Sequence, residues 1–475
     1  MVLRQRSQLG GVEERRLRAL LNEGRRLAQQ RGRPVLVSAV ESVPFDDPLA
    51  GFARGANLAG DRVLWSTPNA DTTLVGVGTA WTFSASGSER FTAAAAAWRE
   101  LTRGALVDSV TAIRGTGPTA LAGFAFDPAR STTDLWAGYP HALLNLPRFT
   151  ITTTAQGAWL TVNAVVSPDG DDTLAAEEIW RAREQLFAGA SPLGFETVTD
   201  FGAEDPALAG TWQATVGSVV ARIQRGEVEK VVLARGRRVQ RRERFDPSRV
   251  LQRLRADYPG CFLFAFDRGD SCFLGATPEQ LVTLQNGRVR TVCLAGSTAR
   301  GGTPLEDRRR GDELLASAKN RGEHAIVVRG ITDTLTAAGV RLEPVGSPSL
   351  VKMANIQHLY TPIAGTIDAN RTILDLLERL HPTPSVGGAP REAALQVIRD
   401  CEGLDRGWYA GAVGWLDARG EGEFAVAIRS ALLRGSEAVA FAGCGIVGDS
   451  DPEAEYAESC LKLRPMLAAL GQGGR

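Results

Sequence analysis

The chain has 475 residues, and 54 basic side chains balance 54 acidic ones. Zero net charge gives no support for nucleic acid or another polyanion as the main partner, and no apolar run is long enough to span a bilayer. The six cysteines are scattered without a Cys-x-x-Cys pair, which argues against a structural zinc site and for reduced thiols in a cytoplasmic protein.

Residues 1–33 carry nine arginines and three glutamates on a helical pattern of Leu17, Leu20, Leu21 and Leu27. Glu13, Glu14 and Glu23 break the acid-poor rule of transit peptides, so a solvated surface helix is expected there. Strands are expected at 34–38, 62–65, 73–77, 121–126 and 158–163, and helices over 93–106 and 171–187. Residues 189–209, rich in Gly, Pro and Asp, read as a linker. That linker divides an N-terminal part, 1–205, from a second part, 206–475.

Beyond the linker, helices are expected at 214–225 and 247–258, then a hairpin of 261–266 with 271–275. A second hairpin joins 281–284 to 289–294 across Asn286-Gly287, the strongest short hairpin signal. Helices follow at 306–337 and 371–379, two further strands come after, and a last helix covers 452–469. Strands joined mostly by hairpins, with helices grouped between them, indicate an α+β fold rather than a doubly wound parallel sheet.

Of the 54 basic residues only four are lysines: Lys230, Lys319, Lys352 and Lys462. A GC-rich coding bias toward arginine is the plain explanation. It makes the surviving lysines informative, because a buried ammonium can shed its proton and a guanidinium cannot. Lys230 opens the strand-like run Glu229–Arg235 and alternates onto one apolar face with Val232 and Ala234. Desolvation there favours the neutral amine.

Gly443-Cys-Gly-Ile-Val-Gly448 matches a dinucleotide-binding pattern. The chain ends after one more helix, so the βαβ unit that such a site needs is missing. The glycines still offer backbone N–H groups ahead of a helix, suited to an anion. On that helix Glu455, Glu458 and Lys462 share a face, and Lys319 and Glu323 stand one turn apart on another helix. Alone, each reads as a solvated, ion-paired face. Together, two helices with few carboxylates suit Mg²⁺, which keeps water and substrate ligands.

Glu279 follows a strand and a proline, where a carboxyl either faces a cleft as an acid or lies in a surface turn. Arg429 is a charge in an apolar strand, which pairs with a buried acid or grips a substrate carboxylate. His358 and His381 stand near turn residues and read first as structural groups.

These segments together resemble the chorismate-utilising enzymes, and among them the isochorismate synthases. The resemblance rests on Glu229–Arg235, Gly275-Ala-Thr-Pro-Glu279, Leu294-Ala-Gly-Ser297, Lys319-Asn-Arg-Gly-Glu-His324, His381-Pro-Thr-Pro384, Tyr409–Trp415, Ala427–Ser430, Ala442–Val447 and Glu455-Tyr-Ala-Glu458 with Lys462. Several long motifs in order are more specific than any one alone. The likeness covers 210–470 closely and the N-terminal half more loosely, through Asp47-Pro-Leu49, Arg62–Trp65, Val75–Gly78 and Gly123–Pro128.

The resemblance implies large, mostly antiparallel sheets packed together with helices outside, the anthranilate synthase component I-like fold, with both parts of the chain interleaved. It implies Mg²⁺ held by Glu323 and Glu458, with Glu455 close by. Lys230 then activates a water for attack on ring carbon C2, and Glu279 protonates the departing C4 hydroxyl. Arg429, Lys462, Ser297 and the Gly443 backbone match contacts to substrate carboxylates, Tyr409 and Ile428 match pocket walls, and Ala295, Gly296 and His358 complete the substrate-binding set.

Lysine at 230 favours water over ammonia, because relatives that add ammonia carry glutamine there. Ala295 stands where some aminodeoxychorismate synthases have a lysine. The expected function is chorismate to isochorismate, for menaquinone or siderophore biosynthesis. Salicylate synthase, anthranilate synthase component I and a non-catalytic scaffold are the alternatives, and Ser385-Val386 departs from some isochorismate synthases. Chorismate is the expected partner, without nucleic acid or membrane, in a monomer or weak dimer.

Overall fold

The computed structural model describes residues 2–44, 47–58, 60–109, 113–169, 172–188, 206–353 and 355–471. Twenty strands form one hydrogen-bonded network. Each pairing is antiparallel except that of Val35–Ser42 with Leu106–Asp108. The expected linker at 189–205 lies outside the described residues, and 206–209 already belong to the helix Pro206–Gln224.

Strands from the two parts interleave. Lys230–Gln240 pairs with Glu437–Ile446, and the ladder continues through Ser430–Arg434, Ser271–Thr277 and Phe262–Asp267 to Arg62–Ser66. A second junction pairs Ala412–Asp417 with Thr119–Phe124. The N-terminal strands are therefore continuous with those that carry the motifs.

Side-chain alternation within one strand shows how the layers meet. In Glu437–Ile446, Val439 and Phe441 enter one core with Trp136, Trp408 and Tyr409. Ala438, Ala440 and Ala442 enter another, with Leu463, Met466 and Leu467 of the final helix, Pro452–Leu470. Small residues on one face and large ones on the other let that helix lie close to the strand.

The structure corrects several expectations. The helix expected at 306–337 is two helices, Pro304–Ala316 and Ala318–Ala337. Ser317 adopts extended backbone between them and its side chain accepts from the Asn320 N–H, capping the second helix. Two long strands, Ala142–Thr154 and Ile356–Thr366, had no counterpart in the sequence reading. Each contains a proline, which argues against a central strand by pattern alone, and Pro147 sits where the register against Thr72–Ala85 shifts. The helix Arg391–Cys401 was likewise not anticipated.

Among the described residues no helix is long and apolar enough to cross a membrane. All six cysteines are free thiols.

Candidate active site

Val426–Ser430 is not one strand. The chain leaves the ladder after Val426, and Arg429 takes a left-handed φ of +53° before Ser430 resumes pairing. Such a backbone is costly for a residue with a Cβ and concentrates at functional positions. Its carbonyl accepts from the Ala276 N–H at 3.1 Å, which holds the turn. No carboxylate lies within ion-pairing distance of its guanidinium among the described residues, so the structural alternative for this arginine, a buried acid partner, is not met.

Arg429 opens on a narrow cleft whose wall includes Glu279, Ala295, Gly296, Ser297, Glu323, His358, Tyr409, Ile428, Gly443, Glu458 and Lys462. The structure thus brings together eleven of the fourteen sequence-nominated residues besides Arg429 itself; Lys230 and Glu455 lie just behind this wall. A roomier cavity, about 750 Å³, lies elsewhere between Val43, Leu64, Thr153 and Leu263. It has only the Asp47–Arg255 ion pair for charge, and chemistry follows convergent polar groups rather than volume.

Three of the four lysines each pair with one of the three nominated metal carboxylates. Lys230 Nζ lies 2.8 Å from Glu323, Lys462 Nζ 2.6 Å from Glu458, and Lys319 Nζ 3.2 Å from Glu455. Lys319 therefore bridges to the opposite helix instead of pairing one turn along with Glu323. Lys230 is 1 % exposed, but its surroundings are not purely apolar: the Glu323 carboxylate meets the amine. The fourth lysine, Lys352, binds Asp307 away from the cleft.

The carboxylates are not equivalent. Burial pushes the Glu458 carboxyl up, but Lys462, Lys319 and Arg429 outweigh it and hold the group below its ordinary range. Burial and the neighbouring Glu458 charge push Glu455 up, with Lys319 only partly opposing. Oxygens of both glutamates lie within 4.8 Å of the Cys444 thiol, and Glu323 stands outside that group. Burial keeps that thiol protonated, and it donates to the Glu455 carbonyl. The donors available are therefore two hard carboxylates, with Glu323 outside that group but in the same cleft wall. Few protein oxygens with room for other ligands suit Mg²⁺.

Glu279 turns the corner between Ser271–Thr277 and Gln280–Gln285, 5 % exposed. Burial pushes its carboxyl up, and Ser385, Lys230, Arg429 and Lys462 pull against that. Ser385 Oγ donates to its Oε1 at 2.5 Å. Glu279 is therefore no surface-turn glutamate.

A break in register between Leu294 and Ser297 swings Ala295 and Gly296 into the cleft, with Gly296 at φ +81°. Buried His324 secures this bulge through the Ala295 carbonyl and Thr361. His358 lies within the strand Ile356–Thr366, not beside a turn. Its Nδ1 meets Ser297 Oγ at 2.8 Å, and its buried Nε2 has no partner. Burial and the nearby Arg429 and Lys462 charges keep the ring neutral. Tyr409 stacks on Phe441 at 5.1 Å.

Gly443 and Gly445 are strand residues, not the entry to a helix; Gly443 pairs opposite Ala234, and the helix starts only at Pro452. Their role is space. A Cβ on Gly445 would lie 2.4 Å from Glu323 Oε1, and one on Gly443 would lie 3.2 Å from the Tyr409 hydroxyl. The Gly443 carbonyl accepts from Lys462 Nζ at 3.1 Å.

Sequence reasoning missed Ser385 and Arg406, which also line the cleft. Arg406 forms a buried ion pair with Glu402 and donates to the Val232 and Val386 carbonyls. Glu402 stands only four positions before it, but the Val232 and Val386 carbonyls are 174 and 20 positions away, and no local signal tied Arg406 to the cleft.

The chain is similar to several known proteins. The isochorismate synthase MenF of Bacillus subtilis is 37 % identical, over 94 % of this chain and 95 % of that one. The salicylate biosynthesis isochorismate synthase of Pseudomonas aeruginosa is 39 % identical, over 94 % and 92 %. The solved structure of MenF, the menaquinone-specific isochorismate synthase from Escherichia coli, superposes with a TM-score of 0.75 at 24 % identity, covering 92 % of this chain and 95 % of that one, and so supports the fold. The family described as "Chorismate binding enzyme" matches residues 20–471, and the chain belongs to it.

Proposed function

We propose that the protein is an isochorismate synthase, converting chorismate to isochorismate with Mg²⁺. The observation that carries this reading is a buried carboxyl with a raised pKa, Glu279, sharing a cleft with the unpaired Arg429 guanidinium and the Lys230–Glu323 pair. The overall likeness to isochorismate synthases over nearly the whole chain supports it.

In this reading Arg429 and Lys462 receive carboxylates of the substrate. Glu323, Glu455 and Glu458 would hold Mg²⁺, which would supply positive charge for the ring carboxylate. Lys230 takes a proton from the water that attacks C2. The two ring double bonds shift, and the C4–O bond breaks as Glu279 protonates the leaving hydroxyl. One water enters and one leaves, so the product is an isomer. His358, neutral and with Nε2 unpartnered, offers a hydrogen bond without adding charge. Menaquinone or siderophore biosynthesis is the role proposed for the product, and the N-terminal likeness favours menaquinone.

Incubation of the purified chain with chorismate and Mg²⁺ tests this directly. Isochorismate should accumulate as the product. Prompt release of salicylate and pyruvate, or anthranilate formed only with ammonia, would replace the assignment with another member of the family.

A further inference from the structure

Glu279 has two oxygens, and the structure treats them differently. Ser385 Oγ donates to Oε1 at 2.5 Å, and Thr383 Oγ1 lies 2.6 Å from Ser385 Oγ. A hydroxyl has one hydrogen to give. An ionised carboxylate has no hydrogen to give, so while Glu279 is ionised Ser385 donates to it and Thr383 donates to Ser385. The two hydroxyls then form a donor chain, Thr383 to Ser385 to Glu279, each pointing the same way.

A hydroxyl that donates to Oε1 makes that oxygen the acceptor of the carboxyl group. Where Ser385 keeps that direction, the acidic hydrogen of protonated Glu279 falls to Oε2. The backbone reinforces the placement from the opposite side. The Glu279 N–H donates to Thr277 Oγ1 at 3.2 Å, and its carbonyl accepts from the Val426 N–H at 3.0 Å. The segment bearing the donor chain is itself fastened: the Val386 and Gly387 N–H groups both donate to the Thr383 carbonyl, and Arg406 holds the Val386 carbonyl.

We propose that Ser385 is the positioning residue of Glu279, locking Oε1 so that Oε2 alone presents the proton to the cleft. This rests on the reading of Glu279 as the acid of the proposed reaction and extends it to a residue that acts through the acid. Other groups also face Glu279: Lys230 from strand 230–240, Arg429 from the turn before strand 430–434, Lys462 from the final helix, and Cys293 from strand 288–299. Among the described residues, none of these hydrogen-bonds the carboxyl. Ser385 is the group that orients it.

The substitutions Ser385→Ala and Ser385→Thr test this against the unaltered chain. Ser385→Ala should lower kcat on the order of 10²-fold with little change in KM, since misorientation of a reacting group acts on the chemical step. Ser385→Thr, which keeps the hydroxyl, should recover most of it. Loss of a donor to the ionised form moves the Glu279 pKa upward, so the alkaline limb of the Ser385→Ala profile should shift to higher pH. The protonated-carboxyl infrared band, identified by its loss in Glu279→Gln, should shift in Ser385→Ala without any substrate present. Unchanged kcat in Ser385→Ala, or equal loss in Ser385→Ala and Ser385→Thr, overturns the proposal. If the unaltered chain turns over no chorismate, the functional reading fails and the infrared band alone decides: a shift sustains Ser385 as positioning residue, and no shift rejects it.

Discussion

The two sides of the cleft hold the same chemical group in opposite conditions. On one side Glu323, Glu455 and Glu458 each meet a lysine within 3.2 Å. On the other, Glu279 is contacted by a neutral hydroxyl. Pairing keeps Glu458 ionised against the cost of burial, whereas burial dominates at Glu279 and favours its protonated form. In the proposed reaction, the lysine-paired carboxylates would take the cation and Glu279 would give up the proton. The contrast teaches that the balance of partner charge against burial, not the residue type, sets the direction in which each carboxyl is pushed.

The largest effect should come from breaking the proton-transfer pair. Glu279→Gln keeps the shape of the acid side and removes its proton, and Lys230→Ala removes the amine. Each should cut turnover on the order of 10³-fold. Mg²⁺ binding, followed by calorimetry, should persist in Glu279→Gln, because the metal side is untouched. Substantial residual turnover in either variant would contradict the assigned roles.

A smaller loss should follow from Arg429→Ala, which removes a charged donor from the substrate side and leaves both carboxyl sides intact. KM for chorismate should rise about 10- to 100-fold, the value of a hydrogen bond to a charged group. Arg429→Lys should recover only part of this, because a point charge cannot replace a planar fork.

The smallest effect, and the sharpest test of the contrast, is in pH. Glu455 has a raised pKa and Glu458 a lowered one. As pH falls, Glu455 takes up its proton first, so Mg²⁺ affinity should weaken in two steps, the first assigned by its absence in Glu455→Gln. Glu279 must be protonated to act, so kcat should instead decline as pH rises through its raised value. The two sides therefore fail at opposite ends of the pH range. Metal titrations and kcat profiles that moved together would show that the cleft titrates as one unit.

Much of this was legible in the residues. The scarcity of lysine singled out Lys230, Lys319 and Lys462 before any contact was known. The spacing of Glu455, Glu458 and Lys462 placed them on one helical face, and Asn286-Gly287 marked a turn that the chain makes with both residues at positive φ. Local rules reach such features because one helix turn or one hairpin decides them.

Long-range contacts were not legible. The strands Ala142–Thr154 and Ile356–Thr366 form despite Pro147 and Pro362, because partners on either side supply the remaining ladder bonds. The partner of Lys319 is on another helix, 136 positions along the chain, and the donor to Glu279 is 106 positions away. Arg429 looked like a strand residue, and only the pairing of its neighbours with two different strands bends it into the cleft.

The sequence by itself determined which groups were available: four lysines, a few carboxyls outside obvious ion-paired faces, and glycines that leave room for them. The tertiary structure decided which carboxyl is pushed toward its ionised form and which toward its protonated form. That choice depends on distances of a few ångströms between residues a hundred or more positions apart, and Coulomb energies and desolvation are set in space rather than along the chain.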